Sequence, residues 1–276
     1  RVSFVPSAQP PLPWKRPHMT KRPSLTFAAL ALAATAVAAL PAPAAAARTG
    51  TAPATPKLSP VAAKAAPAAA RPKRVNCAKV KCLALTFDDG PGTVTARLLD
   101  TLRKHKVKAT FFLVGERVEK RPGVVRRMAR EGHEIGNHTY GHESLPALSD
   151  AQIAEQLGRT QDVLHRVIGK RPRTMRPPYG HTDARVVAAA KELGLAQVLW
   201  TGTTLDWSLR DVDKIGDKVL SLARPNGVIL MHDVVPHTVK AMPRVLRELK
   251  RRGYRLVTVS ELAGSRRLGP GATFPR

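Results

Sequence analysis

The sequence predicts an α/β fold, a distorted (β/α) barrel with about seven parallel strands, and three observations carry that expectation. From Cys82 onwards, short apolar runs alternate with segments of helical period, the order that builds a parallel sheet. Seven such runs can be counted, too few for a standard eight-stranded barrel, which points to a shortened or distorted one. Polar residues follow directly on several runs, at the strand ends where parallel barrels keep their functional groups.

Residues 82–87 form the first strand, and residues 94–105 read as a helix with Leu98, Leu99 and Leu102 on one face. Residues 109–114 (ATFFLV) are the second strand. Residues 122–130 follow as a helix opened by Pro122, with Val124, Val125 and Met128 inward. A short strand at 134–136 leads into Asn137. Ser149 caps a longer helix over 150–168, in which Ile153, Leu157, Val163, Leu164 and Val167 make an apolar stripe. Strands at 174–176, 196–200 and 227–231 come next. Helices near 183–193, 212–223 and 238–252 lie between or after them, and residues 255–259 are the last strand. No internal repeat is visible.

The N-terminus sets the expected compartment. Met19-Thr20-Lys21-Arg22 is a short cationic region, residues 25–40 are an apolar run, and Pro41 to Ala47 is a stretch of small residues. This is the layout of a secretory signal peptide starting at Met19, with cleavage near Ala44 to Ala47. A retained membrane anchor is the alternative, and the Ala-rich run is at the short end for a span. Residues 1–18 are Pro-rich and upstream of Met19, so residues 1–47 are set aside from the fold. Residues 48–74 are an Ala/Pro/Lys-rich flexible linker without apolar periodicity. The catalytic domain is expected over 75–263, with 264–276 as a tail. In an oxidising compartment Cys77 and Cys82 suit a local disulfide that pins the lead-in to the first strand. A metal pair is the weaker alternative, because no further cysteine exists.

Lys and Arg number 46 against 20 Asp and Glu, a formal charge of +26 over 276 residues. That balance favours anionic surroundings such as nucleic acid, a membrane surface or an anionic cell wall. Aromatics are only 4%, which argues against a stacking single-strand binder and against nucleic acid as the partner.

Five polar groups stand after strands. Asp88 and Asp89 end the first strand before Gly90-Pro91-Gly92. An Asp-Gly turn is their plain reading. Adjacent strand residues point to opposite faces, so the two carboxylates should do different jobs unless the turn swings one round. His138-Thr139-Tyr140-Gly141-His142 spaces two histidines four apart, facing one way on a helical turn. Together with Asp89 they make a His-His-Asp set with coordination positions left open, as a hydrolytic centre requires. Arg176-Pro177-Pro178-Tyr179-Gly180 holds an arginine suited to a bidentate carboxylate clamp. Leu205-Asp206-Trp207 and Leu230-Met231-His232-Asp233 complete the series.

Read in order, TFDDGP, HTYGH, RPPYG, LDW and LMHD resemble the five motifs of the polysaccharide deacetylases of carbohydrate esterase family four, the NodB homology domain. The resemblance implies a distorted barrel and a divalent metal, most often zinc, with Co2+ or Ni2+ as alternatives, held by Asp89, His138 and His142. It implies that Asp88 is the general base toward the attacking water and that Arg176 orients Asp88. His232 would be the general acid and Asp206 the carboxylate that tunes it. The Tyr179 backbone N–H would stabilise the oxyanion, and Trp207 and Leu230 would wall the acetyl pocket. One position departs from the family: Thr203 stands where a further Asp is common, which bears on substrate contacts.

The expected function is a secreted, metal-dependent hydrolase that removes N-acetyl groups from chitin, chitooligosaccharide or peptidoglycan and acts as a monomer. Anionic wall polymers are a possible second partner. An O-acetyl esterase on xylan, or a non-catalytic cationic wall-binding protein, are the alternatives.

Overall fold

A computed structural model describes residues 75–264 and 268–275. The expected signal peptide and linker lie outside the described residues. Among the described residues no helix is long and apolar enough to cross a membrane.

Among the described residues nine strands form one sheet, and every pairing in it is parallel. In chain order they are β1 (Cys82–Asp88), β2 (Thr110–Leu113), β3 (Glu134–Asn137), β4 (Thr174–Met175), β5 (Ala196–Val198), β6 (Gly202–Thr203), β7 (Gly227–His232), β8 (Arg255–Val257) and β9 (Thr273–Phe274). The sheet runs β6-β7-β1-β2-β3-β4-β5-β9, and β8 pairs with the start of β1. This is the distorted (β/α) barrel expected.

The strand count exceeds seven because β6 and β9 are two residues each, too short to make an apolar run. β9 also revises the tail. It pairs with β5, and Phe274 is buried with Val198 and Phe112 in one hydrophobic cluster.

β1 is the axis of the sheet. It pairs with β7 along most of its length, with β8 at its start and with β2 at its end. All seven of its residues are buried. Leu83, Leu85 and Phe87 face the larger core, under α1 (Thr95–Lys104) and α8 (Pro236–Arg251), while Cys82 and Ala84 face a second cluster. Period-two alternation therefore puts Thr86 and Asp88 on the second face, away from those helices.

The remaining helices are α2 (Gly115–Lys120), α3 (Pro122–Arg130), α4 (Asp150–Ile168), α5 (Ala184–Glu192), α6 (Asp206–Leu209), α7 (Val212–Leu222) and α9 (Val259–Ala263). Two of them have the predicted bounds. α3 begins with proline, and α4 carries a full capping box between Ser149 and Gln152 and ends at Gly169 with φ 70°. Residues 258–259 are not strand: Thr258 caps α9 through a second capping box with Glu261.

Cys77 and Cys82 form the expected disulfide. By loop-closure entropy a bridge over so short a loop contributes at most about 2 kcal/mol. Reduction is therefore expected to lower the unfolding free energy by roughly that amount in a denaturant titration, with no change in fold.

Candidate active site

The polar residues after the strands meet at one end of the sheet. Asp88 is opposite His232 in the β1–β7 register, so residues 144 positions apart become cross-strand neighbours. Asp88 is almost fully buried, and Arg176 donates Nη1–H to its Oδ1 at 2.8 Å. The guanidinium is fully buried. It also donates to the Thr86 hydroxyl and to the Val198 and Leu199 carbonyls, and it lies over the Phe112 ring at 4.3 Å.

The expected bidentate clamp is thus revised to a single hydrogen bond, with the other donors fixed by backbone and Thr86. Burial pulls the Arg176 pKa below its ordinary value, while Asp88 opposes that shift. The result is a positive charge locked beside Asp88.

Asp89 does not continue the strand. Its φ is 70°, and Arg117 Nη1 donates to its carbonyl at 2.7 Å. That left-handed step, which short acidic side chains tolerate, brings its carboxylate round to the side of Asp88. His138 Nε2 is 3.4 Å from Asp89 Oδ1 and 3.9 Å from Asp88 Oδ2, and His142 Nε2 is 3.0 Å from Asp89 Oδ1. Strand alternation alone does not separate the two aspartates: the turn sets their relation.

The two histidines are not on a helical turn. Residues 138–142 are irregular, with positive φ at Thr139 and His142. The loop is held from within by Thr139 N–H to Asn137 Oδ1 at 2.9 Å and His142 N–H to Thr139 Oγ1 at 3.1 Å. From outside, Gln156 Oε1 on α4 accepts from the Tyr140 and Gly141 N–H groups.

These atoms fit a divalent cation. Donor atoms of Asp89, His138 and His142 all lie within 4.8 Å of one another. His138 Nδ1 sits 2.6 Å from the Arg176 carbonyl, so by hydrogen-bond logic Nδ1 carries the proton and Nε2 turns a lone pair toward Asp89. Asp89 Oδ1 is buried without a hydrogen bond. Burial favours its neutral acid, whereas imidazoles that donate N–H or carry charge would hold the carboxyl well below its ordinary range; with lone pairs presented instead, that positive charge has to come from a bound cation. Lone pairs facing a buried carboxylate call for a positive ion between them.

At the start of α6, beside β7, Asp206 is fully buried and accepts three hydrogen bonds, from His232 Nδ1 at 2.7 Å, His232 N–H at 2.8 Å and Thr238 Oγ1 at 2.6 Å. Burial would lower the His232 pKa, but Asp206 chiefly, with Asp89 and Asp88 behind it, pushes it up to about 10. Asp206 is held below its ordinary value by the same pairing, against its burial.

Leu230, buried and two residues before His232 on β7, shares its face of the sheet. Trp207 is half-buried in α6 beside Asp206, and Thr203 on β6 pairs in register with Leu230. Tyr179 has φ 61° and stacks edge-on to His142 at 4.9 Å between ring centroids. Among the described residues its N–H forms no backbone hydrogen bond.

Sequence reasoning missed one layer, Asp233 and Thr95. Asp233 is fully buried and takes a 2.5 Å hydrogen bond from Thr95, whose hydroxyl in turn accepts from Gly92 N–H. Burial pushes the Asp233 carboxyl up to about 7, with Thr95 pulling the other way. A Cβ at Gly90 would overlap the Asp233 carboxylate. Gly90→Ala is therefore expected to destabilise the domain by roughly 1–3 kcal/mol and to weaken metal binding through the shifted Asp89. Thermal unfolding and metal titration of the same variant check both. The adjacent Asp in the fifth motif was the available signal.

The polysaccharide deacetylase family model matches residues 75–198. The peptidoglycan-N-acetylglucosamine deacetylase PgdA of Listeria monocytogenes is 41% identical over 187 residues, covering 67% of this chain and 40% of that protein. The peptidoglycan-N-acetylmuramic acid deacetylase PdaC of Bacillus subtilis is 39% identical over 183 residues, covering 66% and 38%. A solved structure described as T48 deacetylase with substrate has a TM-score of 0.70 at 40% identity, covering 72% of this chain and 99% of that one. The chain belongs to the polysaccharide deacetylase family. It spans about two fifths of the length of the two named relatives.

Proposed function

We propose that this protein is a metal-dependent hydrolase that removes N-acetyl groups from a cell-wall amino-sugar polymer, with peptidoglycan as the first candidate substrate. The observation that carries the reading is the convergence of Asp89, His138 and His142 donor atoms within 4.8 Å, flanked by the Asp88–Arg176 and His232–Asp206 pairs. The names of the two relatives favour peptidoglycan over chitin or xylan. Secretion through the leader beginning at Met19 belongs to the same proposal and places the enzyme where its polymer is.

A divalent ion, zinc first, would polarise the acetyl carbonyl and lower the pKa of water toward ~7. Asp88, oriented by Arg176, takes the proton from the attacking water. The Tyr179 N–H donates to the developing oxyanion, a contribution of about 3 kcal/mol for one such donor. His232, its Nδ1 held by Asp206, delivers a proton from Nε2 to the departing amine, which is too basic to leave unprotonated. Trp207 and Leu230 wall the acetyl methyl, and Thr203 leaves that side of the pocket without a further carboxylate.

Acetate release from peptidoglycan fragments, chitooligosaccharides and acetylxylan, compared side by side, tests the proposal. Chelation should abolish release, and added Zn2+, Co2+ or Ni2+ should restore it. Undiminished turnover after exhaustive metal removal would refute the metal role. Turnover of acetylxylan alone would shift the reading to an O-acetyl esterase.

A further inference from the structure

We infer that the end of the sheet opposite the candidate active site is a docking surface for a polyol-phosphate polymer of the cell envelope, a phosphodiester-linked polyanion. The choice of an envelope polymer rests on the proposed function, whereas the binding itself does not depend on catalysis.

Because every strand is parallel, the strand starts lie at one end and the strand ends at the other, apart from β6, which follows the end of β5 after residues 199–201. The segments that lead into β1, β2, β3, β4, β5, β7 and β8 are residues 75–81, 105–109, 131–133, 169–173, 193–195, 223–226 and 252–254. They hold nine Lys or Arg and one acidic residue, Glu131. All nine cations are exposed. Glu131 is already paired with Arg127 at 2.7 Å. The opposite end is richer in carboxylates, with Asp89, Glu143, Asp183, Asp206, Asp211 and Asp233 in or beside the segments that follow strands, against Arg176 and Arg210 there; counted the same way, the strand-start end adds only Glu134 and Glu192. The domain is charge-segregated along its strand axis.

Contacts tie several of these segments to one another and to the helices beside them. Lys250 Nζ reaches the His105 carbonyl and Lys108 Nζ the Glu131 carbonyl. Arg255 N–H donates to Lys81 O at 2.8 Å, and Arg252 Nη1 to Leu220 O at 2.9 Å. Burial lowers the pKa of His105, and Lys250, Arg247 and Lys104 lower it further, as expected where cations crowd.

Helix dipoles explain basic residues in last turns, such as Lys104 and Lys250. They do not explain Lys79 and Lys81, which precede β1 with no described helix before them.

The chemistry of the partner follows from what this end lacks. Among the described residues Val80 is its one exposed large apolar residue. Tyr254, the one Phe, Trp or Tyr in these segments, is half-buried with its hydroxyl donated to Ala223 O. A surface of exposed cations without stacking rings suits a flexible phosphate polymer rather than single-stranded nucleic acid. Held there, the polymer would leave the acidic mouth facing away from it, toward the glycan.

The test uses the full chain and two fivefold variants of equal net charge. One carries Lys79→Gln, Lys81→Gln, Lys106→Gln, Lys170→Gln and Arg224→Gln. The other carries Lys120→Gln, Arg126→Gln, Lys214→Gln, Lys218→Gln and Lys240→Gln, on the helices around the sheet. Affinity for polyglycerol phosphate is measured against salt, beside single-stranded DNA of matched charge, with circular dichroism to confirm folding. The first variant should bind at least tenfold more weakly than the parent, with a shallower dependence of log affinity on log salt. The second should lose less than threefold, and acetate release from a short oligosaccharide should be unchanged in both. Equal losses in both variants, tighter binding to the DNA, or no polymer binding by the parent at 0.15 M salt would each overturn the inference.

Discussion

Asp88→Asn is expected to cut acetate release by about a thousandfold while the protein still binds its metal. A positioned general base contributes roughly 10²–10⁴-fold, and Asn keeps the shape of Asp88 without its basicity. The metal set is untouched, because Asp89, His138 and His142 supply the converging atoms.

The same change leaves Arg176 with no carboxylate, fully buried. Breaking a buried pair commonly costs about 3–5 kcal/mol. Here the Thr86 hydroxyl and two carbonyls still accept from the guanidinium, so the loss should fall at the low end of that range. Turnover should therefore be measured well below the unfolding midpoint, beside a metal titration. If turnover falls less than tenfold in folded, metal-loaded protein, Asp88 is not the base.

How much of this arrangement was legible in the sequence depended on whether its cause was local. The α3 and α4 bounds were legible because Pro122, Ser149 with Gln152, and Gly169 mark them chemically. The polar groups Asp88, Asp89, His138, Arg176 and His232 were legible because they end or directly follow apolar runs, which are readable from neighbours in sequence, whereas the roles of Tyr179, Trp207 and Leu230 came only with the family resemblance. The register of Asp88 against His232 was not, because it is set by pairing between strands far apart in the chain. Backbone geometry was equally hidden. Asp89, Thr139, His142, Tyr179 and Leu205 all have positive φ in the site loops, and none is a glycine that would signal it. Such conformations cost of order 1–3 kcal/mol each and persist where surrounding contacts impose them, as Gln156 does for the histidine loop. The single Arg176–Asp88 hydrogen bond and the Thr95–Asp233 layer were hidden for the same reason: both depend on tertiary neighbours.

Asp206→Asn should move the alkaline limit of activity downward and cost about 10²–10³-fold in rate. The imidazolium of His232 is the form that can donate, and its pKa is raised to about 10, chiefly by Asp206 against the effect of burial. Activity that needs that form should therefore persist through neutral pH and fall as pH rises through about 10. The stability contributed by the pair has the same sign: it is fully present below the ordinary histidine value of about 6.5 and lost as pH approaches 10.

Asn at 206 removes the charge and turns an amide N–H toward groups that already donate, namely His232 N–H, His232 Nδ1–H or Thr238 Oγ1–H. The limb should then retreat toward 6.5. His232→Ala supplies the chemical control. Amide hydrolysis, which must protonate a poor leaving group, should fall about 10²–10⁴-fold, whereas an activated aryl acetate, whose phenolate leaves unaided, should lose less than tenfold. Equal losses on both substrates would mean that His232 serves the oxyanion or the fold rather than the departing amine. An alkaline limb unmoved in Asp206→Asn would mean that another group titrates there.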